Sequence, residues 1–117
     1  MGWLTKIEGF IIDMGIKSYE RMANGFLISY PGKSHVVKIH IIVDEPFIGF
    51  RSFFLSAPGR NADRLYRHLL ELNGHSFMVK WYIDKDGDSY VATERLLRDM
   101  QFSEFESCIL ALSLIHI

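Results

Sequence analysis

The sequence has little of what usually marks a function class. Its one cysteine, Cys108, excludes an intrachain disulfide and a multi-cysteine metal site, and it fits a reducing compartment. No apolar run reaches the roughly 18 residues of a membrane span, and the N-terminus lacks the pattern of a signal peptide. Basic and acidic residues nearly balance, 13 against 14, so no strong field attracts nucleic acid. We expect a cytoplasmic protein without a membrane or nucleic-acid partner.

The residues that are plentiful indicate a folded domain. Hydrophobic residues make up 49% of the 117 positions and charged residues 23%, both typical of globular proteins. This length fits one domain, residues 1–117, and leaves little room for two. Aromatic residues reach 14%, with nine phenylalanines. Because aromatic side chains are enriched at interfaces, some of these rings are candidates for an interaction surface.

Periodicity predicts three helices. Apolar residues at helical spacing follow the capping-box pair Thr5 and Glu8, and Gly15 is the predicted stop. A leucine stripe after Gly59 predicts a second helix that ends at Asn73-Gly74. The third begins at the pair Ser103 and Glu106. The chain ends at Ile117, without a stop signal after this helix, which leaves open whether the native chain continues.

Alternation and turn residues predict the strands. Asn24-Gly25 is typical of a two-residue hairpin turn with positive φ, and Pro31-Gly32 marks a second turn. The run His35 to Val43 alternates, with Val37, Ile39, Ile41 and Val43 on one face, and Phe47 to Leu55 follows as another strand. A hairpin with its tip at residues 84–88 comes after the second helix. The pattern predicts an α+β fold: an antiparallel sheet of about five strands and three helices, in the order α-β-β-β-α-β-β-α.

No motif indicates catalysis or a cofactor. The tip Asp84-Lys85-Asp86-Gly87-Asp88 is similar to the start of a calcium loop, but Ser89 stands where an EF-hand needs glycine and Arg95 where it needs glutamate. A hairpin turn with Gly87 in the left-handed region explains the same residues. The five histidines lack metal-binding spacing, and the apolar surroundings of Cys108 favour an inert, packed thiol. We therefore predict no catalytic, cofactor or metal site.

Apolar residues on the second face of the sheet are the candidate site. If Val37, Ile39 and Ile41 face the helices, the opposite face is expected to carry Ile42, Phe54, Met78 and Tyr82. An open sheet face with such residues is a candidate protein-binding patch. The competing interpretation is that a helix covers this face, or that single apolar residues are exposed there without a function.

Two segments carry a resemblance to a known superfamily. A leucine-rich helix ending in Leu69-Leu70-Glu71-Leu72-Asn73 leads into a hairpin, Phe77 to Asp88, with an acidic, glycine-containing tip, and the final helix starts with Phe102-Ser103-Glu104-Phe105-Glu106. In these features and in element order, roughly positions 4 to 114 resemble the YbjN-like and type III secretion chaperone-like superfamily. The chain departs from the secretion chaperones in being nearly neutral, where they tend to be acidic.

The resemblance implies a non-enzymatic module, chaperone-like or regulatory, that dimerises and holds a segment of another protein. Pairing at a sheet edge and side-chain pockets are a suitable mechanism. The near-neutral charge favours a general YbjN-like binding role over a dedicated secretion role. The alternative is a small-molecule-binding protein or enzyme with a polar site between sheet and helices, using His40, Arg51 or Glu94.

Overall fold

The fold was analysed in a computed structural model, which describes residues 2–115. These residues form three helices, six strands and one 3₁₀ turn, Leu97–Asp99, which lies just before the last helix. In chain order the elements are α1 (Trp3–Asp13), β1 (Tyr19–Met22), β2 (Gly25–Pro31), β3 (Val36–Asp44), β4 (Phe47–Leu55), α2 (Ala62–His75), β5 (Lys80–Ile83), β6 (Ser89–Leu96) and α3 (Phe102–Leu114).

The six strands form one sheet in the order β1-β2-β3-β4-β6-β5, with every neighbouring pair antiparallel. The α+β class, the antiparallel sheet and the three helices are confirmed. The prediction of about five strands was one too few. The short arm Tyr19–Met22 pairs with β2 as a strand of its own, which four residues with little alternation did not signal.

The core lies between the helices and one face of the sheet. The strands contribute Phe26, Ile28, Val37, Ile39, Ile41, Ile48, Phe50, Trp81 and Val91 to this cluster. All three helices pack on these side chains, through Ile7 and Ile11 of α1, Leu69 of α2, and Phe105 and Ile109 of α3. Since the helices share one face of the sheet, the other face has no layer of the described chain over it.

The helices form without the predicted capping boxes. α1 starts one turn early, after Gly2, and α3 starts after Gln101, and neither end has a side-chain cap. The prediction of capping by Thr5 and Ser103 was wrong because the apolar residues preceding each site already pack, which extends each helix backwards. Gly15 does adopt positive φ at 76°, as predicted for a stop.

The turns follow the predicted positions more closely than the predicted conformations. The hairpin before β2 turns through Ala23 and Asn24, with Met22 paired to Gly25, and none of these residues has positive φ. Glycine is needed at position 25 for another reason, since a Cβ there would overlap the carbonyl oxygen of Ile41. In the hairpin between β5 and β6, Gly87 has a φ of 84°, as predicted.

The end of α2 differs from the prediction. The helix continues through Asn73-Gly74 to His75. The Asn73 side chain is occupied elsewhere: its amide donates to the carbonyl of Trp81 at 3.0 Å and its oxygen accepts from the Trp81 amide at 2.7 Å. These two bonds attach the last turn of α2 to the edge of β5. No helix among residues 2–115 is long and apolar enough to cross a membrane.

Candidate functional site

The candidate site is the sheet face that no helix covers, which we call the open face. Strand parity assigns its side chains, because residues two apart on a strand share a face. They are Glu20 and Met22 of β1; Gly25, Leu27, Ser29 and Pro31 of β2; Val36, Lys38, His40, Ile42 and Asp44 of β3; Phe47, Gly49, Arg51 and Phe53 of β4; Lys80 and Tyr82 of β5; and Tyr90, Ala92, Glu94 and Leu96 of β6.

One end of the open face is apolar, and we call Ile42, Phe47 and Leu96 the apolar end. Cross-strand pairing places Ile42 opposite Gly49 and Phe47 opposite Leu96. Because Gly49 has no side chain, a depression of about 460 Å³ opens between these residues, and Asp44, Glu94 and Arg95 also line it. Half of the Phe47 side chain, 51%, is exposed to solvent. The depression can accept an apolar side chain beside charged groups of both signs.

The opposite end is aromatic, and we call Phe53, Tyr82 and Tyr90 the aromatic end. Tyr82 stacks on Tyr90 with ring centroids 5.6 Å apart, and Phe53 meets Tyr90 edge-on at 5.9 Å. Such rings give a large, rigid apolar surface with polar groups at its rim. Burial and the carboxylate of Asp84 raise the pKa of Tyr90, so its hydroxyl stays protonated at neutral pH.

Between the two ends lies a central row of six residues: Glu20, Leu27, His40, Arg51, Ala92 and Lys80. Lys80 donates to Glu94 at 2.9 Å, which neutralises both charges. The Arg51 guanidinium lies over the Tyr90 ring at 5.3 Å. Burial of the ring, and then the charge of Arg51, lower the pKa of His40. Unlike Lys80, Arg51 has no ion pair among residues 2–115.

The four residues predicted for protein binding divide between three places. Ile42 and Tyr82 lie on the open face, both partly buried. The prediction that Phe54 lies there was wrong, because it shares the parity of the core residues Ile48 and Phe50 and packs edge-on against Trp81 at 5.0 Å. Met78 precedes β5, in the connection from α2, with a φ of 66° and an exposed side chain.

Sequence reasoning missed most of the open face. β4 carries phenylalanine at both parities, Phe47 and Phe53 outward and Phe50 and Phe54 inward, so its composition does not reveal which side is buried. The sequence did not indicate Tyr90 and Leu96, because residues 89–94 carry polar and apolar side chains at both parities. Two of the inward-facing residues of β6, Ser89 and Thr93, are polar and buried, so alternation gave no signal there.

The two edges of the sheet differ in what they offer a partner strand. At β5, Asn73 occupies the amide and carbonyl of Trp81. At β1, the Ser29 amide donates to the Ser18 carbonyl, so Ser18, Glu20 and Met22 direct their backbone groups to β2. Antiparallel geometry then turns the backbone groups of Tyr19 and Arg21 outward. The β1 edge is therefore able to pair with an added strand.

Cys108 lies in the core. Burial raises the pKa of the Cys108 thiol to about 11, so it stays protonated and packs as predicted. Within residues 2–115, no cluster of three or more His, Cys, Asp or Glu residues could hold a metal ion; His116 lies outside that range. His40, Arg51 and Glu94 were placed between sheet and helices by the alternative interpretation, and they lie on the open face instead.

Known structures share this architecture. YbjN from E. coli matches with a TM-score of 0.72 and 18% identity over 92% of this chain and 80% of that one. The Yersinia pestis type III secretion chaperone SycH, solved with a fragment of YscM2, matches at 0.63 and 16%, over 95% and 93%. The Pseudomonas aeruginosa ExoU–SpcU complex contains a chain that matches at 0.65 and 14%, over 92% and 88%. These structural matches, at identities of 14% to 18%, establish a shared fold, which is that of the type III secretion chaperones.

Sequence comparison gives the family. Residues 4–109 match YbjN, a family described as "putative bacterial sensory transduction regulator". The chain therefore belongs to the YbjN family, and the resemblance inferred from its motifs is confirmed. No curated protein matches it in sequence.

Proposed function

We propose that this protein is a non-enzymatic binding module that holds an extended segment of a partner protein on its open face and acts in the cytoplasm as a homodimer. The observation that carries the proposal is the open face, where apolar and aromatic side chains lie uncovered on a rigid sheet. Chaperones of the same fold have been solved with partner proteins, which supports this kind of function.

The open face has the features that an extended segment needs. Side chains of such a segment that face the sheet recur every ~7 Å, which is also the spacing between successive open-face residues on one strand. Ile42 and Tyr82 belong to the two opposite ends, so a segment that contacts both crosses the central row. The free backbone groups of Tyr19 and Arg21 offer a second mode of attachment by strand addition.

A different surface supports dimerisation. Along α2 and the connection to β5, Tyr66, Leu70, Phe77 and Met78 form an exposed apolar stripe; Phe77 is 92% exposed and Leu70 71% exposed. Patches of this kind on a small protein usually mark an interface. A twofold dimer is the simplest occupant, because it covers the same patch on both copies at once.

The two surfaces give two separate tests. Light scattering at high micromolar concentration should show a dimer, and Phe77→Asp should convert it to a monomer. A strict monomer from the unaltered protein would overturn the homodimer. For segment binding, a library of extended peptides is screened by fluorescence polarisation, and Ile42→Lys or Tyr82→Ala should weaken the selected peptides about tenfold or more.

A matched control separates the two surfaces. Leu70→Lys places a charge on an exposed leucine of α2, away from the open face. It should disturb dimerisation and leave the affinity per protomer for peptides within about twofold. A peptide library that yields no binder for the unaltered protein would contradict the proposal.

A further inference from the structure

The centre of the open face contains two basic side chains with unusual surroundings. His40 of β3 and Arg51 of β4 are cross-strand partners, with Leu27 beside His40 and Ala92 beside Arg51 in the same row. Neither apolar neighbour can accept a hydrogen bond from them through its side chain. Two donors are therefore placed together on the face proposed to hold a partner.

The charge of Arg51 has no counterpart within the described chain. Among residues 2–115, no carboxylate lies within the 4.0 Å of an ion pair with this guanidinium. The nearby Lys80 shows the contrast, since Glu94 neutralises it at 2.9 Å. Arg51 is half-buried against the Tyr90 ring. A guanidinium held there keeps most of its five donors for an acceptor from outside.

His40 adds a second unsatisfied donor. Its Nε2 is buried, and no hydrogen-bond partner for it exists in the part of the chain that the structure describes. Buried polar atoms without partners are uncommon in native proteins and call for an explanation. To reach an acceptor bound at Arg51 the imidazole has to rotate, and the tautomer protonated at Nε2 then donates to it.

We propose that Arg51 and His40 bind a carboxylate of the partner segment, an Asp or Glu side chain, at the centre of the open face. This inference rests on the proposed function and names the chemistry of its ligand. A carboxylate matches the planar guanidinium in a two-point contact. A single acidic residue fits better than a nucleic-acid backbone, because the face also carries the carboxylates of Asp44 and Glu20 and the chain has a net charge of -1.

The flanking surfaces specify the neighbours of this acidic residue. On one side of the central row the depression at Ile42 and Phe47 accepts an apolar side chain. On the other side Phe53 and Tyr90 offer aromatic contacts. Because alternate residues of an extended segment face the sheet, the expected motif is apolar-x-acidic-x-aromatic, with the acidic residue at the centre.

The test uses peptides of matched shape. The probe is a nine-residue peptide, acetylated and amidated at its ends, with the sequence Ser-Thr-Leu-Thr-Glu-Thr-Phe-Thr-Ser. Its partner has Gln in place of Glu and differs only in charge and hydrogen bonding. On the unaltered protein the Glu peptide should bind about tenfold or more tightly than the Gln peptide, as measured by calorimetry.

Variants of the protein show which residue causes the preference for the Glu peptide. Arg51→Gln should reduce the preference for the Glu peptide to less than about twofold, and Arg51→Lys should retain part of it, because the charge stays and the fork is lost. Arg67→Gln is the control: it removes an exposed cation from α2 with the same change in net charge and should leave the preference unchanged. Circular dichroism confirms that each variant is folded.

The alternative results are distinct. Equal binding of the Glu and Gln peptides overturns the carboxylate site and leaves the peptide-binding function standing. Failure of both probes up to about 1 mM, while library peptides bind, also overturns it. If no peptide of any kind binds, the proposed function fails as well. Binding of a single-stranded oligonucleotide that depends on Arg51 would assign the site to phosphate instead.

Discussion

The two faces of the sheet are made by the same strands and have opposite properties. On the helix-covered face Phe26, Ile41 and Phe50 are fully buried, and Ser52 donates to the carbonyl of Lys38 at 2.9 Å. On the open face Phe53 is 49% exposed, Arg51 lacks a carboxylate among residues 2–115, and a nitrogen of His40 lacks a hydrogen bond there. The helices pack on one face, whereas the other face leaves apolar and polar side chains uncovered by the described chain.

The sharpest test of this comparison removes one phenylalanine from each face. Phe50→Ala deletes a fully buried ring of the covered face, which contacts Phe105 of α3, and should lower the free energy of unfolding by about 3–5 kcal/mol. Phe47→Ala, at the apolar end, should lower it by less than about 1 kcal/mol, because half of that ring is already in water. Urea denaturation measures both, and similar losses would show that the open face is part of the core.

A glycine pair on the open face gives a second comparison. Gly25 and Gly49 are the two cross-strand partners of Ile42. Gly25→Ala should destabilise the fold by about 1–3 kcal/mol, because the added methyl overlaps the backbone of Ile41. At Gly49 the nearest atom to an added Cβ is 3.9 Å away, so Gly49→Ala should be within about 1 kcal/mol of the unaltered protein. Thermal unfolding that ranked Gly49→Ala as the worse variant would contradict this packing.

The edge of β5 allows a third, smaller effect. Asn73→Ala removes the two hydrogen bonds to Trp81 and should cost about 1 kcal/mol in the free energy of unfolding. It also exposes the strand edge, so faster exchange of the Trp81 amide is expected in hydrogen-exchange experiments. Asn24→Ala is the control, because no side-chain hydrogen bond of Asn24 is seen within residues 2–115 and its backbone carbonyl still accepts from Val43.

The smallest predicted effect is a pH dependence at His40. Burial and Arg51 hold its pKa below 6.5, so between the two values the unfolded chain binds a proton that the folded chain does not. The free energy of unfolding should therefore rise with pH in that window and gain nothing more from His40 above 6.5. The charged groups that face the ring are Arg51 on β4 and Lys38 on its own strand; β2 presents Leu27 and Ser29, which do not titrate.

The test compares how steeply the free energy of unfolding rises with pH in two proteins. Urea denaturation of the unaltered protein and of His40→Gln is followed between about pH 5 and pH 7, and the variant should show the smaller increase in stability with pH. A variant slope equal to that of the unaltered protein would assign the dependence to other groups. Addition of the Glu peptide should raise the pKa of His40, which NMR titration of the ring detects.

The sequence by itself determined the order of the three helices and of the strands other than β1, and it determined the inner face of β3. Alternation of Val37, Ile39 and Ile41 is a local property, because a period of two residues puts these side chains on one side whatever the rest of the chain does. The same holds for Gly15 and Gly87, with φ values of 76° and 84°. Each allows a local turn of the backbone in the left-handed region, which glycine adopts without steric cost. The match of residues 4–109 to the YbjN family is likewise a property of sequence.

Only the tertiary structure decided what lies on the open face. Phe53 and Phe54 are neighbours with the same side chain, yet Phe53 lies on the open face and Phe54 packs against the core. They differ because the helices pack on only one face of β4. The pairing of His40 with Arg51 likewise depends on the register between β3 and β4, which a one-residue slip would destroy. Register and layer order come from packing between distant segments, so the surface that we propose for binding is visible only in the folded chain.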